Sequence, residues 1–280
     1  MIIDVHTHAF PHAIRQSRED FFDNEPAFRL LYDTPHARLV GGDETIAMMD
    51  AQGVDKSVIF GFPWRDAEIF KRHNDYILET VGRFPDRLIG LCCLDPLHPE
   101  ASREVRRCLA AGLSGVGELA FYGSGLEQQW LDKLEPIMAL ALDYDLPVMI
   151  HTNEPVGHTY PGKTPNTLAQ IYGLVRRHRR NRIILAHWGG GIFFYTLLKK
   201  EVRHALANVW FDTAASPYLY QPEIYQQAVT LAGREKILFG SDYPLIQPAR
   251  YFKEMTRAGL TPDQRASICG RNAAMLFKLA

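Results

Sequence analysis

The chain opens MIIDVHTHAFPH, with His6 and His8 two apart at the end of an apolar run. In an extended strand, residues i and i+2 point to the same face, so these two imidazoles would lie side by side. Four further stretches end apolar runs in related chemistry: GVGEL carries Glu118, PVMIH carries His151, IILAH carries His187 and LFGSD carries Asp242. Imidazole nitrogens and carboxylate oxygens gathered at one point suit a borderline divalent cation, with positions left open for water and substrate. Zinc comes first, and Mn, Fe or Co would serve. Such an ion lowers the pKa of a bound water toward neutrality, and a neighbouring carboxylate takes up its proton. Taken singly, a histidine on an apolar strand is more often a satisfied core residue, so the metal reading depends on a fold that brings these ends together.

The surrounding sequence supplies one. Short β-rich runs occur at 2–6, 55–61, 87–94, 114–119, 146–151, 182–187, 208–213 and 236–241. Helical patterns separate most of them, for instance at 43–52, 66–83, 100–111, 128–143, 165–179, 192–207 and 222–232. Near-continuously apolar strands alternating with amphipathic helices are buried on both faces, which predicts an α/β fold with a parallel sheet. Eight such units in about 250 residues fit a (β/α)8 TIM barrel, whose active sites form at the C-terminal strand ends. A doubly wound sheet is the runner-up. It would need a glycine-rich phosphate loop, and the GGG at 189–191 lacks the GxGxxG spacing. The stretch 9–42 is far longer than a normal βα connection. Within a single domain spanning 1–280, it predicts a lid or small subdomain inserted after the first strand. Its aromatics Phe10, Phe21, Phe22, Phe28 and Tyr32 would suit either a packed lid or an oligomer contact.

Composition narrows the function classes. The chain has 280 residues, 46% hydrophobic, with a formal net charge of -1. The one basic block, 176–180, reads as the solvated end of a helix, which argues against a nucleic-acid groove. Cys92, Cys93, Cys108 and Cys269 show no CxxC spacing, which favours buried reduced thiols and a cytoplasmic setting. No apolar stretch approaches the roughly 20 residues of a membrane span. The expected partner is a small-molecule substrate rather than nucleic acid or membrane, with a homo-oligomer left open. Loops after the strands would line the pocket with Trp64, Arg65, Tyr122 and Trp188, a wall suited to a small planar or cyclic molecule. Of these, Arg65 is the expected partner for a substrate carboxylate.

The strand-1 HxH, the histidines closing strands 5 and 6, the aspartate closing strand 8 and the tail RNAAMLFKL at 271–279 together resemble the amidohydrolase superfamily of metal-dependent barrels. Within it the chain looks most like the amidohydrolase-related branch that contains aminocarboxymuconate-semialdehyde decarboxylase, resorcylate decarboxylases, and lactone-hydrolysing and hydratase relatives. The resemblance implies His6, His8, His151 and Asp242 as ligands of one metal, Asp242 also as a proton shuttle, and His187 as the group orienting water or a substrate carbonyl. The superfamily's strand-4 lysine is absent. Glu118 stands in its place, similar to a strand-4 glutamate that bridges two metals in TatD-type nucleases. Bridging would give two ions per chain, with His151 and His187 on the second; the alternative is one ion, with Glu118 fixing a histidine tautomer from outside the ligand set. The leading functional expectation is a metal-dependent hydrolase acting on an amide, ester or lactone, with Asp242 and His187 catalytic. A non-oxidative decarboxylase of a small aromatic or unsaturated acid is the alternative, and a non-catalytic metal-binding protein is the third.

Overall fold

The structure is a computed structural model that describes residues 1–123 and 125–279. Eight parallel strands follow one another around a ring. They are β1 (Ile3–His8), β2 (Lys56–Phe60), β3 (Leu88–Gly90), β4 (Val116–Leu119), β5 (Val148–Ile150), β6 (Ile183–Leu185), β7 (Val209–Asp212) and β8 (Ile237–Leu238). Continuous ladders join β1 to β3 and β4 to β8. Two isolated bridges, Cys92 with Val116 and Thr7 with Tyr243, close the seams between them. At one seam Gly117 N donates to Cys92 O at 2.8 Å, and at the other Val5 N donates to Phe239 O at 2.8 Å. The expected (β/α)8 barrel is therefore the observed fold. Its strands are shorter than the apolar runs, because the chain leaves the ladder early and spends the remaining residues on the loops at the mouth.

Ile3, Val5, Val58, Phe60, Met149 and Ile184 belong to one buried cluster that fills the barrel. The register of β1 against β2 slips between Asp4 and Thr7. An extra residue of this kind re-aims the side chains that follow it. Here it lets Val5 pack with the barrel filling while His6 and His8 both reach the mouth. At the opposite end the C-terminal tail plugs the ring through Ala273, Leu276 and Phe277. Asn272, 3% exposed, donates Nδ2 to the carbonyls of Arg234 and Ile237, both at 2.7 Å, which ties the tail to the start of β8.

Residues 9–42 hold two short helices, His12–Gln16 and Pro26–Tyr32, with a 3-10 turn at Arg18–Phe21 between them. The aromatics pack inward: the Phe28 ring lies 4.4 Å from that of Trp64 and 4.7 Å from that of Tyr32. Glu25 Oε1 accepts the backbone N–H groups of Arg65 and Asp66, each at 2.8 Å, anchoring the insertion to the loop after β2. Leu31, Tyr32, His36 and Arg38 thereby border the barrel mouth. The helix expected over 192–207 is instead a run of 3-10 turns ending at Leu197 and a short helix Lys200–Ala205. The two are separated by Lys199, whose backbone is extended (φ -145°, ψ 150°), and the run is preceded by a left-handed stretch in which His187, Trp188 and Gly189 to Gly191 all have positive φ. Among the described residues, no helix is long and apolar enough to cross a membrane.

Two predictions follow from this packing. A Cβ on Gly240 would sit 2.8 Å from His6 Cβ and 3.4 Å from Asp212 Cβ. Gly240→Ala should therefore lower the unfolding free energy by about 1–3 kcal/mol in urea titration, and an unchanged midpoint would contradict the tight packing of β8 on β1. Separately, burial pushes the Glu25 carboxyl up from 4.5 to about 7. A carboxyl raised in the folded state contributes stability below its unfolded pKa and loses it as the pH rises through the folded value. The stability of Glu25→Gln relative to the parent should thus rise between pH 4.5 and 8, whereas a pH-independent difference would show that Glu25 is not held in this way.

Candidate functional site

Four histidines at the mouth each commit one ring nitrogen to the scaffold. His6 Nδ1 lies 2.9 Å from Asp212 Oδ2. His8 Nδ1 contacts Gly61 O at 3.2 Å, His187 Nδ1 contacts Ala214 O at 3.0 Å, and His151 Nε2 contacts Gly162 O at 3.0 Å. A carbonyl or an ionised carboxylate only accepts, so each of these nitrogens carries the proton. The opposite nitrogens, Nε2 of His6, His8 and His187 and Nδ1 of His151, face a common space. Outer partners of this kind set the tautomer and the ring orientation of metal-binding histidines.

Two carboxylates complete the set. Glu118 Oε1 lies 2.8 Å from His151 Nδ1 and 3.3 Å from His187 Nε2, whereas its Oε2 lies 3.6 Å from His6 Nε2 and 4.0 Å from His8 Nε2. Asp242 Oδ1 is 3.4 Å from His8 Nε2 and 3.8 Å from His6 Nε2. Glu118 thus stands between two donor groups, one oxygen toward each. The charges support one another. Burial opposes ionisation of Glu118, yet the imidazoles of His151 and His6 hold its pKa well below the usual carboxylate range. Burial likewise opposes Asp242, but the hydrogen bond from His8 and the charges of His6 and His187 bring it down to about 2. Conversely, burial would depress His187, while Glu118 lifts it to about 9.

The donor set fits a divalent cation on one further observation: His6 Nε2 is buried with no hydrogen-bond partner in the protein. A buried polar atom without a partner is costly, and a bound cation would satisfy it. Ligand atoms of three groups, His6–His8–Glu118, His6–His187–Asp242 and Glu118–His151–His187, lie within 4.8 Å of one another in each case. Every strand-end residue picked from the sequence is therefore brought to one place. Asp242 gets there through a positive φ of 60°, a conformation that costs energy in a non-glycine residue and turns the side chain back over β1.

The aromatic and basic residues picked from the loops fare differently. Tyr122 borders the cavity and stacks on Phe62, with ring centroids 6.2 Å apart and planes 12° apart. Trp64 is fully buried instead, its Nε1 donating to His73 Nδ1 at 2.8 Å and its ring covered by Phe28. Trp188 is also fully buried, because the left-handed run at 187–191 turns it away from the mouth to donate to Ser216 Oγ at 2.9 Å. Arg65 borders a separate cavity on the barrel flank together with Asp95 and Lys133. The structure thus brings none of these three to the cavity over the histidine cluster. Asp212 carries a sequence signal, an acid closing the apolar run NVWFD, whereas Arg38, which borders the cavity, lies in the irregular insertion where no such signal exists.

Because Asp212 fixes the His6 tautomer, Asp212→Asn should weaken divalent-metal binding by about 10–100-fold while the far-ultraviolet spectrum stays native. Metal affinity equal to that of the parent would remove Asp212 from this role.

The chain is similar to proteins of known family and fold. The family model described as Amidohydrolase matches residues 3–279. Over 302 residues the chain is 23% identical to gamma-resorcylate decarboxylase of Rhodococcus jostii (strain RHA1), a match covering 89% of this chain and 91% of that one. The crystal structure of 5-carboxyvanillate decarboxylase from Sphingomonas paucimobilis superposes with a TM-score of 0.77 at 20% identity, covering 100% of this chain and 99% of that one. That of dihydroxybenzoic acid decarboxylase from Polaromonas sp. JS666, with bound manganese and the inhibitor 2-nitroresorcinol, gives 0.72 at 20% identity, covering 99% of this chain and 97% of that one. A match that runs from the first strand into the C-terminal plug takes in the whole barrel, and the chain belongs to the amidohydrolase family.

Proposed function

We propose that the protein is a metal-dependent decarboxylase of a small aromatic acid, in place of the hydrolysis that the sequence put first. The observation that carries this reading is the layout of the cavity. Its floor is the His8, Glu118, His187 and Asp242 cluster, its walls include Tyr32, Phe62 and Tyr122, and Arg38 stands at its rim, in a volume of about 890 Å³. Among the described residues, Arg38 has no hydrogen-bond or ion-pair partner. A planar acid would find ring contacts along the walls, the bound cation at the floor and the Arg38 guanidinium at the rim. The names of the similar proteins, decarboxylases of resorcylate, carboxyvanillate and dihydroxybenzoate, support the same reaction class. Manganese in one of them makes that ion as good a candidate as zinc.

His6, His8 and Asp242 would hold the cation, with Glu118, His151 and His187 beside it or on a second ion. When bound, the cation supplies a Lewis acid that fixes and polarises substrate oxygens. Asp242, ionised at neutral pH, accepts a proton from a ring hydroxyl of the substrate and returns it to the ring carbon. There the bond to the carboxylate breaks, its electron pair stays on the ring, and carbon dioxide leaves. His187 presents Nε2 to the same space as a donor to a substrate oxygen. The aromatic walls keep water from the ring carbon, so the proton arrives from Asp242.

The test is to incubate manganese-loaded protein with 2,6-dihydroxybenzoate, 5-carboxyvanillate and related hydroxylated aromatic acids and to measure carbon dioxide. Turnover is expected on at least one of them, and Asp242→Asn should cut kcat at least about 100-fold with metal content retained. Arg38→Ala should raise KM about tenfold or more with a smaller change in kcat, as expected for a lost charge-assisted contact. Hydrolysis of esters or lactones with no carbon dioxide from any acid would return the hydrolase reading.

A further inference from the structure

The connection from β5 to the next helix, residues 151–167, forms one wall of the cavity and is closed on itself by a shielded ion pair. Lys163 Nζ lies 2.6 Å from Glu154 Oε1, with the two side chains only 13% and 15% exposed. Nζ also donates to the carbonyls of Val156 at 3.2 Å and His158 at 3.3 Å. Tyr160 OH donates to the other carboxylate oxygen, Oε2, at 2.7 Å. All three donors of the ammonium are thus spent inside the loop, and both oxygens of Glu154 are satisfied.

The neighbour of Lys163 is Gly162, whose carbonyl accepts His151 Nε2. That bond decides which nitrogen His151 turns inward: with Nε2 carrying the proton, Nδ1 faces Glu118. We propose that Lys163 is a positioning residue. By clamping Glu154 and the loop carbonyls, it holds the Gly162 carbonyl on His151 and so fixes the nitrogen presented to the metal centre. This rests on the reading of His151 as part of that centre. Removing one partner of a shielded ion pair leaves the other charge uncompensated, so a neutral replacement opens the loop instead of leaving it in place.

The experiment is a cobalt(II) titration of metal-free full-length protein followed by its visible absorption bands, which report ligand geometry. Lys163→Met is expected to bind cobalt about tenfold or more weakly and with altered bands, and Lys163→Arg to recover most of the affinity. Glu154→Gln is expected to behave as Lys163→Met, which keeps the test available if that variant does not fold. Thermal unfolding midpoints identify the folded variants. His151→Gln is titrated alongside them. If it alters affinity and bands while Lys163→Met and Glu154→Gln match the parent, the positioning role is overturned and the placement of His151 stands. If His151→Gln also matches the parent, the placement of His151 fails and the proposal fails with it.

Discussion

The hydrogen bond between His6 and Asp212 is the constraint on which the mouth of this barrel depends. Asp212 is fully buried at the end of β7, and besides His6 Nδ1 it accepts the backbone N–H groups of His187 and Ala214 at 2.9 and 3.0 Å. One carboxylate therefore sets the first histidine of the HxH pair and, at the same time, the backbone of the histidine after β6. Gly240 leaves room for this approach, since the chain just past β8 runs so close that any side chain there would meet His6 and Asp212. The site and the seam between β8 and β1 are therefore built in the same place.

The same economy governs the other rings. Each imidazole gives one nitrogen to a fixed acceptor, so orientation is settled by the scaffold before any ligand arrives. Burial alone would discharge Glu118, Asp242 and His187. Mutual attraction keeps Glu118 and Asp242 ionised and holds His187 above its ordinary range. A cluster of alternating charges turned toward an open cavity, with His6 Nε2 left without a hydrogen-bond partner, is arranged for a cation rather than for packing.

Much of this was legible in the sequence, for identifiable reasons. Strand periodicity and the apolar runs locate β1 to β8, and in a barrel the strand ends converge, so His6, His8, Glu118, His151, His187 and Asp242 could be picked by position alone. Side chains in the loops obey no such rule. Trp64 and Trp188 look like pocket aromatics in the sequence, but one is drawn under the insertion by Phe28 and His73, and the other is turned away by five successive left-handed residues. Arg65 follows β2 as expected, yet its backbone is held by Glu25 and its side chain goes to the flank. Arg38 could not be ranked above it without knowing how the insertion folds back. Asp212 needed the knowledge that β7 ends beside β1 across the mouth, which no local pattern contains.

The most direct test of the metal centre is anomalous diffraction from crystals of the protein loaded with manganese, collected on both sides of the manganese absorption edge. The account predicts an anomalous peak within coordination distance of His6 Nε2, His8 Nε2 and an Asp242 carboxylate oxygen. A fully loaded crystal with no peak there, or with one only at surface carboxylates, would contradict it.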